Sequence, residues 1–197
     1  MNFIKNHISI VFLAIAAVVV IWGISAYNGL VNMDEGAQTE WANVETQYQR
    51  RADLIPNLVN TVKGYAAHES ETLQAVVEAR AKATGISIDP SNISASQMAA
   101  FQEAQDGMSS ALSRLLVTVE KYPDLKANEN FMELQAQLEG TENRISVARR
   151  DYNEVSRKYN TALRAFPKNI IAGMFGFEKR AYFEASEKSS QAPDVQF

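Results

Sequence analysis

From Ile8 to Tyr27 the chain reads ISIVFLAIAAVVVIWGISAY, inside a longer stretch from Asn6 to Met33 that contains no Asp, Glu, Lys or Arg. At about 1.5 Å per residue, some 20 apolar residues match a hydrocarbon core of roughly 30 Å. One transmembrane helix is therefore predicted over 8–27, behind a short tail at 1–7. A cleavable signal peptide would have an apolar region of roughly 7–15 residues followed by a small-residue cleavage site. This run is longer and no A-x-A site follows it, so it reads as an uncleaved signal anchor. Trp22 and Tyr27 near its far end suit the headgroup region. Lys5 precedes the span, whereas the next basic residue is Arg50. The positive-inside rule then places the N-terminus in the cytoplasm and the bulk of the chain outside it. In a bacterium with two membranes this is the inner membrane with a periplasmic domain, and a chain without cysteine fits that oxidising space.

Beyond the span the pattern changes. All 23 acidic residues and 18 of the 19 basic ones follow Tyr27, leaving that part at −5 with both signs interspersed, as on solvated helix faces. Phe131, Leu134, Leu138, Thr141, Ile145, Ala148, Tyr152, Val155, Tyr159, Ala162 and Phe166 follow one another in alternating steps of three and four. That is the a/d seam of a helix that packs in coiled-coil fashion. A second seam, Trp41, Val44, Tyr48, Arg51, Ile55, Leu58, Val62 and Tyr65, crosses Pro56 without losing phase, so Pro56 is expected to kink its helix rather than end it. A third runs Phe101, Ala104, Met108, Ala111, Leu115, Val119, Tyr122. Gly85 reads as a helix end and Ser94 with Gln97 as a capping box, with a loop between them. Tyr122-Pro123-Asp124-Leu125 reads as a turn. The fold class is all-α: a transmembrane helix followed by an antiparallel up-down bundle of long helices, A at 32–83, B at 94–122 and C at 126–166. The bundle domain covers 28–185, and the polar segment 186–197 reads as a disordered tail.

The lengths have a consequence. If helix B folds back along an unbroken helix A, it ends level with residues 54–58 and leaves Trp41, Val44 and Tyr48 uncovered near the membrane. A monomer should not expose such a stripe, so either the chain self-associates through it, giving a homo-oligomer, or helix A breaks near His68-Glu69-Ser70 and refolds.

The stretch YNGLVNMDEGAQTEWANVETQYQRRADLIPNLVNTVKGYAAHESETL, then VEAR, then EKYPDLKANENFMELQAQLEGTENRISVARRDYNEVSRKYNTALRAFP strongly resembles the LemA family of bacterial membrane proteins. The similarity runs from the end of the span to about Phe183, and the QRRADLIPNLV and YPDLKAN-to-ARRDYN blocks are specific to it. The resemblance implies an N-terminal anchor and a helical-bundle domain with no agreed biochemical activity. It also implies a link to membrane organisation, since a relative in magnetosome-forming bacteria is connected with building the magnetosome membrane.

Three places carry candidate contacts. Trp41, Val44 and Tyr48 form the stripe just described. Arg50, Arg51 and Asp53 form a polar cluster in which Arg50 and Asp53 are spaced to pair, while Arg51 takes a seam position that leucine would normally fill. The cluster is either a partner-binding or anion-binding patch, or an Arg–Asp network that pins the Tyr122–Asp124 turn to helix A and sets register. The second reading is preferred, because a polar seam residue most often specifies register. Phe175 and Phe177 lie in the apolar, glycine-containing segment after Pro167. That segment either caps the open end of the bundle, or docks onto a partner or dips into lipid; the cap is preferred, because a permanently exposed patch aggregates. On helix C, Arg144, Arg149, Arg150, Asp151 and Asn153 read mostly as a solvated face, with Glu154 and Lys158 in the favourable order for an ion pair.

The chain has no cysteine and only two histidines, His7 and His68, and HESET lacks the second histidine of a zinc-protease helix. No catalytic, metal or cofactor-binding constellation is expected, and the net charge of −4 argues against nucleic acid. The expected role is a non-catalytic, single-pass membrane protein that acts in protein–protein interaction or membrane organisation through a partner the sequence does not identify. The alternative is an accessory or regulatory subunit of a membrane enzyme, with an enzyme in its own right ranked last.

Overall fold

A computed structural model of the chain describes residues 2–184, so the expected tail at 186–197 lies outside the described residues. Among the described residues six helices follow in order: α1 (Asn2–Tyr65), α2 (Ser70–Thr84), α3 (Ala95–Val119), the single turn α4 (Pro123–Lys126), α5 (Glu129–Arg164) and α6 (Lys168–Phe175). There is no strand among the described residues.

α1 is one unbroken helix of 64 residues. It begins before the apolar run, at Asn2, and passes directly from that run into the packed domain. The side chains from Ile10 to Ile21 are exposed, and this part of α1 is long and apolar enough to cross a membrane. Burial then sets in at Ala26 and Leu30 and continues through Ala37, Trp41, Val44, Tyr48, Arg51, Ile55, Leu58 and Val62. The predicted seam is thus buried from Trp41 to Val62 and reaches back almost to the span, but its last predicted member, Tyr65, is exposed where the helix ends.

Pro56 lies on the exposed face of α1. Having no N–H, it leaves the Ala52 carbonyl without its helical donor. Arg80 of α2 supplies the missing bond, Nε donating to Ala52 O at 2.8 Å. The same contact ties α2 alongside α1.

The break expected near His68 occurs, at residues 66–69, and it dissolves the predicted helix A of 32–83 into α1 and α2. It is held from the far end of the bundle: Tyr122 Oη donates to Glu69 Oε1 at 2.9 Å, and Asn128 Nδ2 donates to Tyr65 Oη at 3.0 Å. The chain then runs back along α2, turns through 85–94 and climbs again as α3. Ser94 and Gln97 form the predicted capping box at its start. α3 therefore ends level with residues 65–69 rather than 54–58, and the Tyr122–Asp124 turn sits over the break. Asn128 caps α5 through its side chain, which accepts from Phe131 N–H. α5 descends along α1 in the longest interface of the fold.

Three apolar clusters stack along this axis. In the first, Ile55, Leu58 and Val62 of α1 meet Leu73 and Val76, Met108 and Leu115, and Phe131 and Leu138, one set from each of four helices. The second centres on Trp41 and the third on Leu30, Tyr159 and Leu163. Each large apolar side chain so buried is worth about 1.5–3 kcal/mol. The predicted α5 seam holds from Phe131 to Ala162, but Phe166 leaves it: α5 ends at Arg164, and Phe166 is exposed in the turn before α6.

Candidate functional site

The first candidate site is Arg51, fully enclosed at 1% exposure. Its Nη1 donates to Ser109 Oγ at 2.7 Å and to Glu142, and its Nη2 donates to Gln105 Oε1 at 2.8 Å and to Gln105 O at 3.2 Å. Gln105 and Ser109 are one turn apart on α3, Glu142 comes from α5, and the guanidinium lies 5.1 Å from the centroid of the Tyr48 ring. Arg51 therefore joins three helices at one level. This supports a role in register, although its partners are not the expected ones. Asp53 is exposed and accepts instead from Gln49 Nε2 at 2.8 Å, and the Tyr122–Asp124 turn is far above because α3 ends opposite the break. Both terminal nitrogens of Arg51 are spent on neighbouring helices, while its Nε is buried without a hydrogen-bond partner. Arg50 and Asp53 instead line an open groove of about 770 Å³ between α1 and the facing ends of α2 and α3.

The second site is the aromatic cluster around Trp41. Trp41, Val44 and Tyr48 are 0%, 1% and 5% exposed, which corrects their reading as an uncovered contact stripe. The break in helix A brings Ile88, Ile93 and Phe101 over them. Trp41 lies 5.3 Å from Phe101, 5.5 Å from Tyr152 and 5.8 Å from Phe183, stacked nearly parallel on the last.

Phe183 arrives there on a segment that sequence reasoning did not place. Gly176, at φ 72°, ends α6 in the left-handed conformation that glycine adopts without steric cost. Residues 177–184 then run back up the bundle as an extended strap. Three amide side chains grip it by its backbone. Asn160 accepts from Arg180 N–H at 2.9 Å and donates to Arg180 O at 2.8 Å. Asn153 does the same to Phe183, both at 2.9 Å, and Gln102 to Glu184 at 3.2 and 3.1 Å. Buried Arg180 donates to Asp34 on α1 at 2.7 Å and to Pro90 O in the 85–94 loop. Tyr152 Oη donates to Ala181 O at 3.1 Å. The strap thus stitches α1, the loop, α3 and α5 together. A signal existed: Asn153 and Asn160 are seven apart, two turns on one face, each one position past a seam tyrosine.

Burial raises the pKa values of Tyr48, Tyr152 and Tyr159, with the Asp34 carboxylate adding to the effect at Tyr159. Of the predicted polar face of α5, Arg149 also serves the strap, donating to Glu184 O at 3.0 Å and lying 4.8 Å from the Phe183 ring centroid. Arg150 pairs with its neighbour Asp151, and Glu154 with Lys158 at 2.7 Å as the spacing predicted, which lowers the Glu154 pKa.

Phe175 and Phe177 sit at the lower end of the domain. Phe177 is half-buried beside Leu30 and Ala172, while Phe175 is 58% exposed even though its ring lies 4.8 Å from Tyr27. The cap reading holds for one face of α6: Ala172 and Ile171 pack on Leu30, Tyr159 and Leu163. Ile170, Met174 and Phe175 remain outside that core, which corrects the expectation that the segment is buried as a whole.

The family model described as the LemA family matches residues 40–197, starting one residue before Trp41. Magnetosome protein MamQ 1 of Paramagnetospirillum magneticum is 30% identical over 177 residues, 80% of this chain and 64% of that protein. Magnetosome protein MamQ of Magnetospirillum gryphiswaldense is 30% identical over 176 residues with the same coverage. The chain thus spans somewhat less than two thirds of the length of these relatives. Protein LemA of Metamycoplasma hominis is 24% identical over 160 residues, 81% of this chain and 69% of that protein.

Proposed function

The chain belongs to the LemA family, and from that premise we propose that it is a single-pass bacterial membrane protein that acts by contact, in protein–protein interaction or membrane organisation, and not by catalysis. The observation that carries this reading is the continuity of α1. A single helix serves as both the apolar span and the longest element of the domain, with no linker between them. The domain is therefore held at a fixed height and orientation with respect to its anchor, as suits a part that presents surfaces to neighbours. The relatives named as magnetosome proteins favour the membrane-organising branch. By the placement of Lys5 against Arg50, the domain stands outside the cytoplasm, on the inner membrane of a two-membrane cell.

Affinity isolation of the full chain from its native membrane in mild detergent, followed by mass spectrometry and by incubation of the purified chain with a cell metabolite extract, tests the proposal. Recovery of itself or of membrane components, without change in the extract, is the expected outcome. Turnover of a metabolite by the chain alone would overturn it. One enzyme recovered at fixed stoichiometry would replace it with the accessory-subunit reading.

A further inference from the structure

α6 and the turn before it carry the most concentrated apolar exposure outside the span: Phe166 at 82%, Met174 at 72%, Phe175 at 58% and Ile170 at 52%. Ala172 and Ile171 fix the helix to the domain on the side away from Ile170 and Met174, and Phe175, one turn beyond Ile171, stays 58% exposed at the end of the helix, so this exposure is built in. Its height is also fixed. A Cβ on Gly23 would lie 3.9 Å from Ile171 Cδ1, and the Tyr27 ring lies 4.8 Å from Phe175 and 5.6 Å from Phe177. Gly23 and Tyr27 belong to the last turns of the apolar run, where Trp22 and Tyr27 are themselves part-exposed rings suited to the headgroup region. α6 therefore sits at the level where acyl chains give way to headgroups.

We propose that the outer face of α6, with Phe166, inserts into the leaflet into which Tyr27 emerges, giving the protein a second membrane contact beside its span. Interfacial helices bury an apolar face about 5–10 Å into this boundary, a depth that Ile170, Met174 and Phe175 reach from a helix already packed on the end of the span. Arg164 and Lys179 flank the segment as exposed cations, and Lys168 is half-buried at the start of the helix. All three carry charge suited to lipid phosphates. A bilayer is the occupant that continuity demands. The exposed face adjoins residues that are in lipid once 8–27 crosses a membrane, and the inference rests on that crossing.

The chain has no cysteine, so single cysteines can be placed in the full protein and spin-labelled after reconstitution into vesicles of phosphatidylcholine and phosphatidylglycerol. Ile170→Cys, Met174→Cys and Phe175→Cys are the test positions. Val18→Cys marks the span, and Val117→Cys, on an exposed position of α3, marks water. The expected result is gain of oxygen accessibility and loss of accessibility to a water-soluble nickel complex at the test positions relative to Val117→Cys, with Val18→Cys deeper still. Nickel accessibility equal to that of Val117→Cys, with Val18→Cys in lipid, overturns the proposal. So does spin–spin broadening at the test positions, which would assign the face to a second copy. An aqueous Val18→Cys would instead overturn the span itself. Helical content by circular dichroism confirms that each variant is folded, and three independent positions guard against one disruptive label.

Discussion

Replacing Arg51 with alanine removes a side chain that binds three helices at a single level. Gln105 Oε1 then loses a donor at 2.8 Å inside the bundle, and an unsatisfied buried acceptor costs about 1–3 kcal/mol. Glu142 is a lesser term, because its side chain is 45% exposed and its carboxylate regains water, so the ion pair itself contributes under about 1 kcal/mol. The void left by the side-chain stem adds roughly 1–2 kcal/mol. The expected total is about 3 kcal/mol, a fall of about 6–12 °C in melting temperature for a chain of this length. Thermal unfolding of the full chain in mild detergent, followed by far-UV circular dichroism, measures it. Arg51→Met keeps the stem and should lose about half as much. Adding Gln105→Leu removes the stranded acceptor and should recover part of the remainder, less the bond that Gln105 Nε2 donates to Ala83 O. An Arg51→Ala melting temperature equal to that of the parent chain would refute the reasoning, because it would mean that the enclosed guanidinium holds nothing together.

Asn160→Leu removes the paired bonds to Arg180 and a third bond to Tyr182 Oη; at about 1 kcal/mol net per bond, it should raise amide hydrogen exchange across 177–184 by an order of magnitude or more, and unchanged exchange would show that the remaining contacts hold the strap without Asn160. Alkaline pH should loosen the domain through Tyr48, Tyr152 and Tyr159, whose values are raised in the fold. The folded state keeps protons that the unfolded state releases above about pH 10, so stability is intact below that value and declines as pH rises through the folded values. A urea midpoint that stays level from about pH 8 to about pH 11 would contradict this.

The helices were legible because their burial is periodic. Phe131 to Ala162 announces α5 by spacing alone, and Ser94 with Gln97 announces the start of α3 by local chemistry. The break after Tyr65 was legible only indirectly, through the problem an unbroken helix would have created for Trp41. No residue in 66–69 compels it, and it is held by Tyr122 and Asn128, more than fifty positions away. Arg51 stood out as a polar residue on an apolar seam, but its partners lie 54, 58 and 91 positions distant, and no local rule connects such separations. The strap was missed for a different reason. An extended segment gripped by its backbone needs no hydrophobic period of its own, and the clue lay in Asn153 and Asn160 of the helix that grips it.

The strap also sets the order in which this fold can be completed. Trp41 and Phe183 stack on each other although more than a hundred positions separate them in the chain, and contacts of such high sequence separation form slowly. The amide side chains that grip the strap belong to α3 and α5, so both helices must stand in place beside α1 before residues 177–184 can dock. The strap is therefore the clasp of the fold, closed over an aromatic pocket whose other walls are already built.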